Sequence, residues 1–209
     1  IRAALWLFGG EHKIVVRDRR IKNMAAFTTI DDPSVYFQIA TWTGNTSAPR
    51  SITNDGNSDM QPDWVWGKNR TTAGTDHEIY DSNRGTGVNF NLKSSSSGAE
   101  GVGTTYGQLT SFDTDGFTVN AGGTNDDFWN ENGSEFVAWQ WKSGGGTTAS
   151  NTSGTITSTV QANQTAGFSI ITYTGTGGSE TFGHGLGVAP DMWIIKRRNG
   201  TGSWAVGFN

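Results

Sequence analysis

The sequence contains no cysteine, only four prolines and few charged residues, and no apolar run approaches the ~20 residues that span a bilayer. The absence of cysteine excludes disulfide bonds, thiolate metal ligands and a cysteine nucleophile. Charged residues make up 16% of the chain, compared with about 25% in an average soluble domain. The formal net charge of −4 argues against a nucleic-acid-binding protein. We therefore predict no nucleic-acid partner and no insertion into a membrane.

Glycine and small polar residues take the place of the missing charges. The chain holds 30 glycines among many serines, threonines and asparagines, and these residue types suit turns and strands rather than helix interiors. Its 9 tryptophans, 4 tyrosines and 11 phenylalanines supply apolar surface for a core. Wholesale disorder is therefore not expected.

Short runs of β-branched and aromatic residues alternate with turn residues along the chain. Many short strands at this cadence are typical of a β-sandwich or a jelly roll. The sequence therefore predicts an all-β fold. The predicted strands are 35–43, 64–68, 78–80, 88–92, 117–119, 135–141, 155–160, 168–174, 192–196 and 204–208.

Two motifs occur twice, in the same order. Residues 37–44 share Phe, Ile, two Thr and Gly with residues 168–175, at an offset of 131. Residues 61–70 share Pro, Asp, Lys and Arg with residues 189–198, at an offset of 128. The nearly equal offsets predict an internal repeat, although shared β-composition alone is the alternative explanation.

The repeat divides the chain into units. We predict a β-sandwich module over 24–145, a linker and first strand over 146–166, and a second, truncated β-module over 167–209. Such a partial copy must pack on the first unit, pair with another chain or expose a strand edge.

Residues 1–23 differ from the rest of the chain in composition. They carry six basic and two acidic side chains, whereas the remaining residues carry nine basic and 17 acidic ones. Our hypothesis is that Met24 is the natural start and that residues 1–23 are a non-native extension, read through from upstream in a gene prediction. A genuine basic N-terminal arm is the alternative.

The loop over 124–133 is the best candidate for a binding site. Asp126, Asp127 and Asn130 carry oxygen atoms that could bind sugar hydroxyls, and Trp129 could stack on a sugar ring. The same oxygens could bind calcium, and we predict no other cofactor. An ordinary sandwich loop with one buried aromatic residue is the alternative.

Other motifs favour structural roles. Trp64 and Trp66 share one face of a strand and could form a platform for sugars, but the repeat replaces them with aliphatic residues, which favours a core.

Asp113–Gly116 resembles the start of a calcium loop. An EF-hand needs a glutamate at its twelfth position, where this chain has Thr124. A tight turn is therefore predicted.

Signals for catalysis are absent from the sequence. The three histidines are scattered, and no HExxH or G-x-S-x-G motif occurs. Glu131 and Glu135 are spaced like a glycosidase carboxylate pair, but Asn132 and Gly133 break the strand between them. We predict no catalytic residue, no metal site and no enzymatic activity.

Seven strings of the sequence together carry a family resemblance, namely residues 27–34, 36–44, 51–57, 61–64, 111–117, 136–142 and 183–187. These strings resemble tail and virion proteins of marine bacteriophages, cyanophages especially. The resemblance implies concanavalin A-like or jelly-roll modules and no catalytic residues. Residues 1–23 depart from it.

The resemblance implies a structural component of a phage virion, such as a tail-fibre or surface module that takes part in host attachment. The expected partners are further copies of the chain, other virion proteins and a host-surface glycan, and the expected location is the extracellular particle. A carbohydrate-binding, lectin-like module is the alternative, and a glycan hydrolase or depolymerase is the third candidate.

Overall fold

The computed structural model describes residues 2–8, of which only the backbone is considered, together with residues 30–101, 106–123 and 128–209. Within these ranges the chain forms strands, a 3₁₀ turn at Pro33–Val35 and no α-helix. The strands are β1 Arg2–Phe8, β2 Phe37–Thr43, β3 Arg50–Ile52, β4 Trp64–Asn69, β5 His77–Asp81, β6 Leu92–Lys93, β7 Gln108–Asp113, β8 Gly116–Asn120, β9 Glu135–Trp141, β10 Ala149–Asn151, β11 Ser158–Asn163, β12 Phe168–Thr174, β13 Met192–Arg197 and β14 Ala205–Phe208.

The strands form three antiparallel sheets. The middle sheet has the order β2-β9-β4-β5-β6, the small sheet has the order β3-β8-β7, and the six-stranded sheet has the order β10-β11-β12-β1-β13-β14. Because alternate residues of a strand point to opposite faces, each strand of the middle sheet can contribute to two cores. The all-β prediction is confirmed, and the face-to-face antiparallel sheets are those of a β-sandwich.

The first core lies between the middle sheet and the small sheet. Ala40, Val65 and Ala138 of the middle sheet pack in one cluster with Phe117 and Val119 of the small sheet. Trp42 stacks on Phe136 with ring centroids 5.3 Å apart. This core fills the sandwich predicted for the first unit.

The second core lies between the opposite face of the middle sheet and the six-stranded sheet. Trp64 is buried and stacks on Phe168 of β12, with ring centroids 5.7 Å apart, and it also contacts Trp141 at 4.6 Å. Ile79, Leu92 and Ile170 are further buried members of this cluster. The middle sheet therefore packs against a core on each face, while Ile39 of β2 is exposed on the second face.

A third cluster covers the outer face of the six-stranded sheet. Val160 and Ile171 pack there against Leu186, which belongs to the loop between β12 and β13. Tyr173 stacks on Phe182 of the same loop at 4.2 Å. The loop between β12 and β13 thus covers the outer face of the six-stranded sheet, whereas the small sheet covers the corresponding face of the middle sheet.

The strand predictions are right for several long strands, and they are wrong or missing for others. The strands predicted over 135–141 and 168–174 have the predicted bounds. Only Leu92 of the strand predicted over 88–92 is in a strand, because Phe90 instead closes a turn by donating its backbone N–H to Gly87 O. The strand predicted over 155–160 begins three residues later, at Ser158. Four strands, β1, β3, β7 and β10, were not predicted from the sequence.

The two copies of the repeated motif occupy equivalent places in two sheets. In the middle sheet, Trp141 of β9 lies opposite both Phe37 of β2 and Trp64 of β4. In the six-stranded sheet, Phe8 of β1 lies opposite both Phe168 of β12 and Met192 of β13. The offsets between these positions are those of the sequence motifs, 131 and 128. Strand β1 thus occupies in the six-stranded sheet the position that β9 occupies in the middle sheet.

This placement bears on the segment interpreted as a non-native extension. Residues 2–8 pair with a strand on each side, whereas residues 9–23 lie outside the described residues. The start at Met24 and the domain boundaries stay predictions.

Candidate functional site

The loop predicted to bind a ligand contributes its aromatic ring to the first core. Trp129 is fully buried, and its ring makes edge contacts with Tyr80 at 5.7 Å and Phe117 at 6.2 Å. Asp126 and Asp127 lie outside the described residues. A ring enclosed in this way cannot stack on a sugar unless the core opens.

Asn130, the remaining predicted site residue, is also buried. Its Oδ1 accepts hydrogen bonds from the Asn45 backbone N–H at 3.1 Å and from Arg50 Nη1 at 2.8 Å. Its Nδ2 donates to Ser47 O at 2.8 Å. Since both ends of the amide are used, Asn130 fixes the loop between β2 and β3.

Glu78 is a buried carboxyl that the sequence analysis did not single out. Its Oε2 accepts a 2.7 Å hydrogen bond from Trp129 Nε1, and its Oε1 accepts another of 2.7 Å from Asn91 Nδ2. Burial raises the pKa of Glu78 to about 7, against the lowering effect of these two hydrogen bonds and of the charge of Lys93. The carboxyl can therefore titrate near neutral pH, but it lies inside the core.

The other sequence candidates have structural surroundings. Trp64 lies in the second core, which confirms the core interpretation. Asp113 and Gly116 pair across a tight turn that joins β7 to β8, and Gly116 has a φ of 95°, as predicted. Glu131 accepts hydrogen bonds from Thr72 and Ser134, whereas Glu135 accepts one from Thr43. In the described part of the chain, no group of three or more His, Asp or Glu side chains is placed to hold a metal ion.

A cleft of about 640 Å³ opens at one edge of the six-stranded sheet. It lies where the ends of β10 and β11 meet the loop between β12 and β13. Polar side chains, one aromatic ring and backbone of glycines line it. The lining side chains include those of Asn151, Ser153, Gln164, Phe182 and His184.

Hydrogen bonds between side chains and backbone hold the walls of this cleft. His184 Nδ1 accepts from the Leu186 backbone N–H at 3.2 Å, and His184 O accepts from Ser169 Oγ at 2.6 Å. Gln164 Nε2 donates to Gly185 O at 3.0 Å. Burial lowers the pKa of His184, so the imidazole is neutral at pH 7. The cleft therefore offers uncharged polar groups beside the ring of Phe182.

This cleft was not predicted from the sequence. His184 lies in a glycine-rich string over 183–187, which has neither the lysine nor the spacing of a phosphate-binding loop. The sequence feature that points to the cleft is the set of three glycines around His184. Glycines allow the backbone to adopt the conformations that a cleft wall requires.

Comparisons with known proteins place the chain in a family. Residues 32–209 match the family model described as "Domain of unknown function (DUF7483)". No curated protein and no solved structure matches the chain. Over the described residues, no helix is long and apolar enough to cross a membrane. The matched residues make up most of the sequence, and the chain therefore belongs to the DUF7483 family.

Proposed function

We propose that this member of the DUF7483 family is a non-enzymatic structural module of a marine bacteriophage virion, a part of a tail fibre or of the particle surface. The observation that supports it most is the aromatic seam between the two larger sheets. Trp64, Trp141 and Phe168 stack there with centroid distances of 4.6 to 6.3 Å. This seam joins successive sheets into one layered body, as an extended assembly requires.

The polar groups of the interior add to this rigidity. Asp63 is fully buried, and its two oxygens accept hydrogen bonds from the backbone N–H groups of Ser143, Gly145 and Gly146, each at 2.7 Å. These bonds tie the loop after β9 to the start of β4. Local opening, which exposes a chain to proteases, is disfavoured where backbone groups are held in this way.

Mass spectrometry of marine phage particles tests the proposal. Particles are purified on a density gradient and treated with protease before their proteins are digested and identified. We expect peptides of this chain in the particle fraction, protected to the same degree as those of the capsid. Recovery of the peptides from the cell lysate alone, in a culture that yields particles, would contradict the proposal.

A second candidate function, carbohydrate binding, is favoured by the cleft around His184. Uncharged amides and a neutral imidazole can bond to sugar hydroxyls, and Phe182 offers an aromatic ring. In this role the chain would attach the particle to a host-surface glycan, because recognition by a β-sandwich uses loops on a rigid body.

A glycan array with variants tests this second candidate. We expect His184→Ala and Gln164→Ala to lose the signal and Asn57→Ala, at an exposed position outside the cleft, to keep it. Trp129→Ala cannot serve here, since loss of that buried ring would unfold the loop. Release of reducing sugar from a bound glycan would contradict the non-enzymatic proposal.

A further inference from the structure

Strand β1 is held in the middle of a sheet by partners that lie far away in the sequence. It forms seven residue pairs with β12 on one side and six with β13 on the other. More than 150 residues separate it from both of these strands. Its counterpart β9 lies nearer to its own partners, β2 and β4, in one continuous unit of the chain.

The slot between β12 and β13 needs a strand. Without one, both strands would present unpaired backbone N–H and C=O groups to each other. Phe168, Ile170 and Ile171 of β12 are buried around this slot. An open slot would therefore expose apolar surface in addition to two edges.

The strand that fills the slot need not come from the same copy of the chain. Backbone pairing depends on the strand's sequence and register, which are identical in every copy. Residues 9–29 connect β1 to the described part of the first unit, and 21 residues can span at most about 70 Å. A compact domain of this chain's length is roughly 40 Å across, so a connection of this length allows β1 to reach a neighbouring copy.

We propose that Arg2–Phe8 is exchanged between copies, so that β1 of one copy inserts between β12 and β13 of a second copy of this chain. Reciprocal exchange produces a closed dimer, and head-to-tail exchange produces a ring or a filament. The inference names the partner within the proposed structural role, on which it rests for its biological meaning. It takes residues 1–23 as a genuine N-terminal arm, which is the alternative to a natural start at Met24.

Cross-linking between two single-cysteine variants tests the exchange. The chain has no cysteine, so introduced thiols react without a background. Ala4 of β1 lies opposite Thr172 of β12. Ala4→Cys and Thr172→Cys proteins are mixed, unfolded and refolded together over a range of protein concentrations, and then treated with a short bis-maleimide. We expect a product of twice the chain mass that increases with concentration and is absent from either variant alone.

The matched control uses the equivalent register of the middle sheet. Thr41 of β2 lies opposite Val137 of β9, and a mixture of Thr41→Cys and Val137→Cys should give no product of double mass. The double variant Ala4→Cys/Thr172→Cys reports on pairing within one chain. Cross-linking of the double variant only within single chains, with no product in the mixture, overturns the exchange.

A further outcome separates the exchange from the pairing on which it depends. If neither the double variant nor the mixture cross-links, β1 does not pair with β12, and the proposal is overturned at its premise. Neither negative result affects the particle measurement that tests the structural role. The two proposals can therefore fail separately.

Discussion

Trp129 donates a 2.7 Å hydrogen bond from its indole Nε1 to Oε2 of Glu78 inside the first core, where both side chains are buried. The loop between β8 and β9 is thereby tied to β5 of the middle sheet. Asn91 Nδ2 donates to the other oxygen of Glu78 at 2.7 Å. The carboxyl thus has a structural role, and its protonation couples the stability of the core to pH.

The first prediction concerns this coupling. Because the pKa of Glu78 is raised from 4.5 to about 7, the folded protein keeps this proton over a pH range in which the unfolded chain loses it. The tighter binding of this proton in the folded state contributes on the order of 3 kcal/mol to the free energy of unfolding. That contribution is fully present below about pH 4.5 and is lost as the pH rises through about 7. Chemical denaturation between pH 4.5 and 8 should show this decline in the free energy of unfolding.

Glu78→Gln should remove that decline. The glutamine amide can accept from Trp129, and it can donate to Asn91 Oδ1, a buried atom that has no hydrogen-bond partner among the described residues, once the asparagine amide rotates. Glu135→Gln, at an exposed position of β9, is the control and should keep the decline. Parallel pH profiles for Glu78→Gln and the parent protein would show that Glu78 is not the group responsible.

A second prediction concerns Asp63 and its counterpart in the repeat, Asp191. Asp63 is buried and accepts three backbone N–H groups of the loop after β9, whereas Asp191 is exposed. In Asp63→Asn, an NH₂ group replaces one of the two accepting oxygens and must face a backbone N–H, which is also a donor. This should cost about 2–4 kcal/mol of stability. Asp191→Asn should change stability by less than about 0.5 kcal/mol. Urea denaturation measures both, and equal losses would refute the anchoring role of Asp63.

A third prediction concerns the aromatic seam. Trp64 contacts Trp141 and Phe168, so Trp64→Ala should destabilise the protein by about 3–5 kcal/mol. Ile39 lies on the same face of the middle sheet but is 47% exposed, and Ile39→Ala should cost less than about 1 kcal/mol. Guanidinium denaturation followed by circular dichroism compares them. A small loss for Trp64→Ala would mean that the two larger sheets do not depend on each other.

The sequence allowed the strands with a continuous β-branched and aromatic pattern to be predicted, together with the equivalence of residues 37–44 and 168–175. It did not reveal Arg50–Ile52 or Ala149–Asn151, because three residues are too few for an alternating pattern to be recognised. β1 was missed for a different reason. Its partners lie at the far end of the chain, and the basic residues that follow it dominated the local composition.

The candidate site was harder to predict because side-chain direction depends on tertiary packing. The polar neighbours of Trp129 indicated an exposed loop, yet its ring enters the core, where Glu78 accepts its N–H. Asn130 was predicted to bind a ligand, and the hydrogen-bond partners of its side chain in the structure belong to the protein itself. Local sequence shows which groups a loop carries, and the packing around the loop decides where they point.

The last prediction follows from a difference between the two copies of the repeat. Gly67 of β4 corresponds to Ile195 of β13 at the offset of 128. A Cβ atom at Gly67 would lie 2.6 Å from the ring of Trp129, so the first copy needs glycine where the second, whose outer face is covered by a loop, has a large side chain. Gly67→Ala should therefore destabilise the protein by about 1–3 kcal/mol.

The control for this change is Gly178→Ala. A Cβ atom there would meet nothing within 4 Å, and its effect on stability should stay within about 0.5 kcal/mol. The NMR chemical shift of the Trp129 indole N–H should also change in Gly67→Ala, because the Trp129 ring must move away from β4, and it should not change in the control. Equal stability of the two variants would show that the Trp129 ring does not require a glycine beneath it.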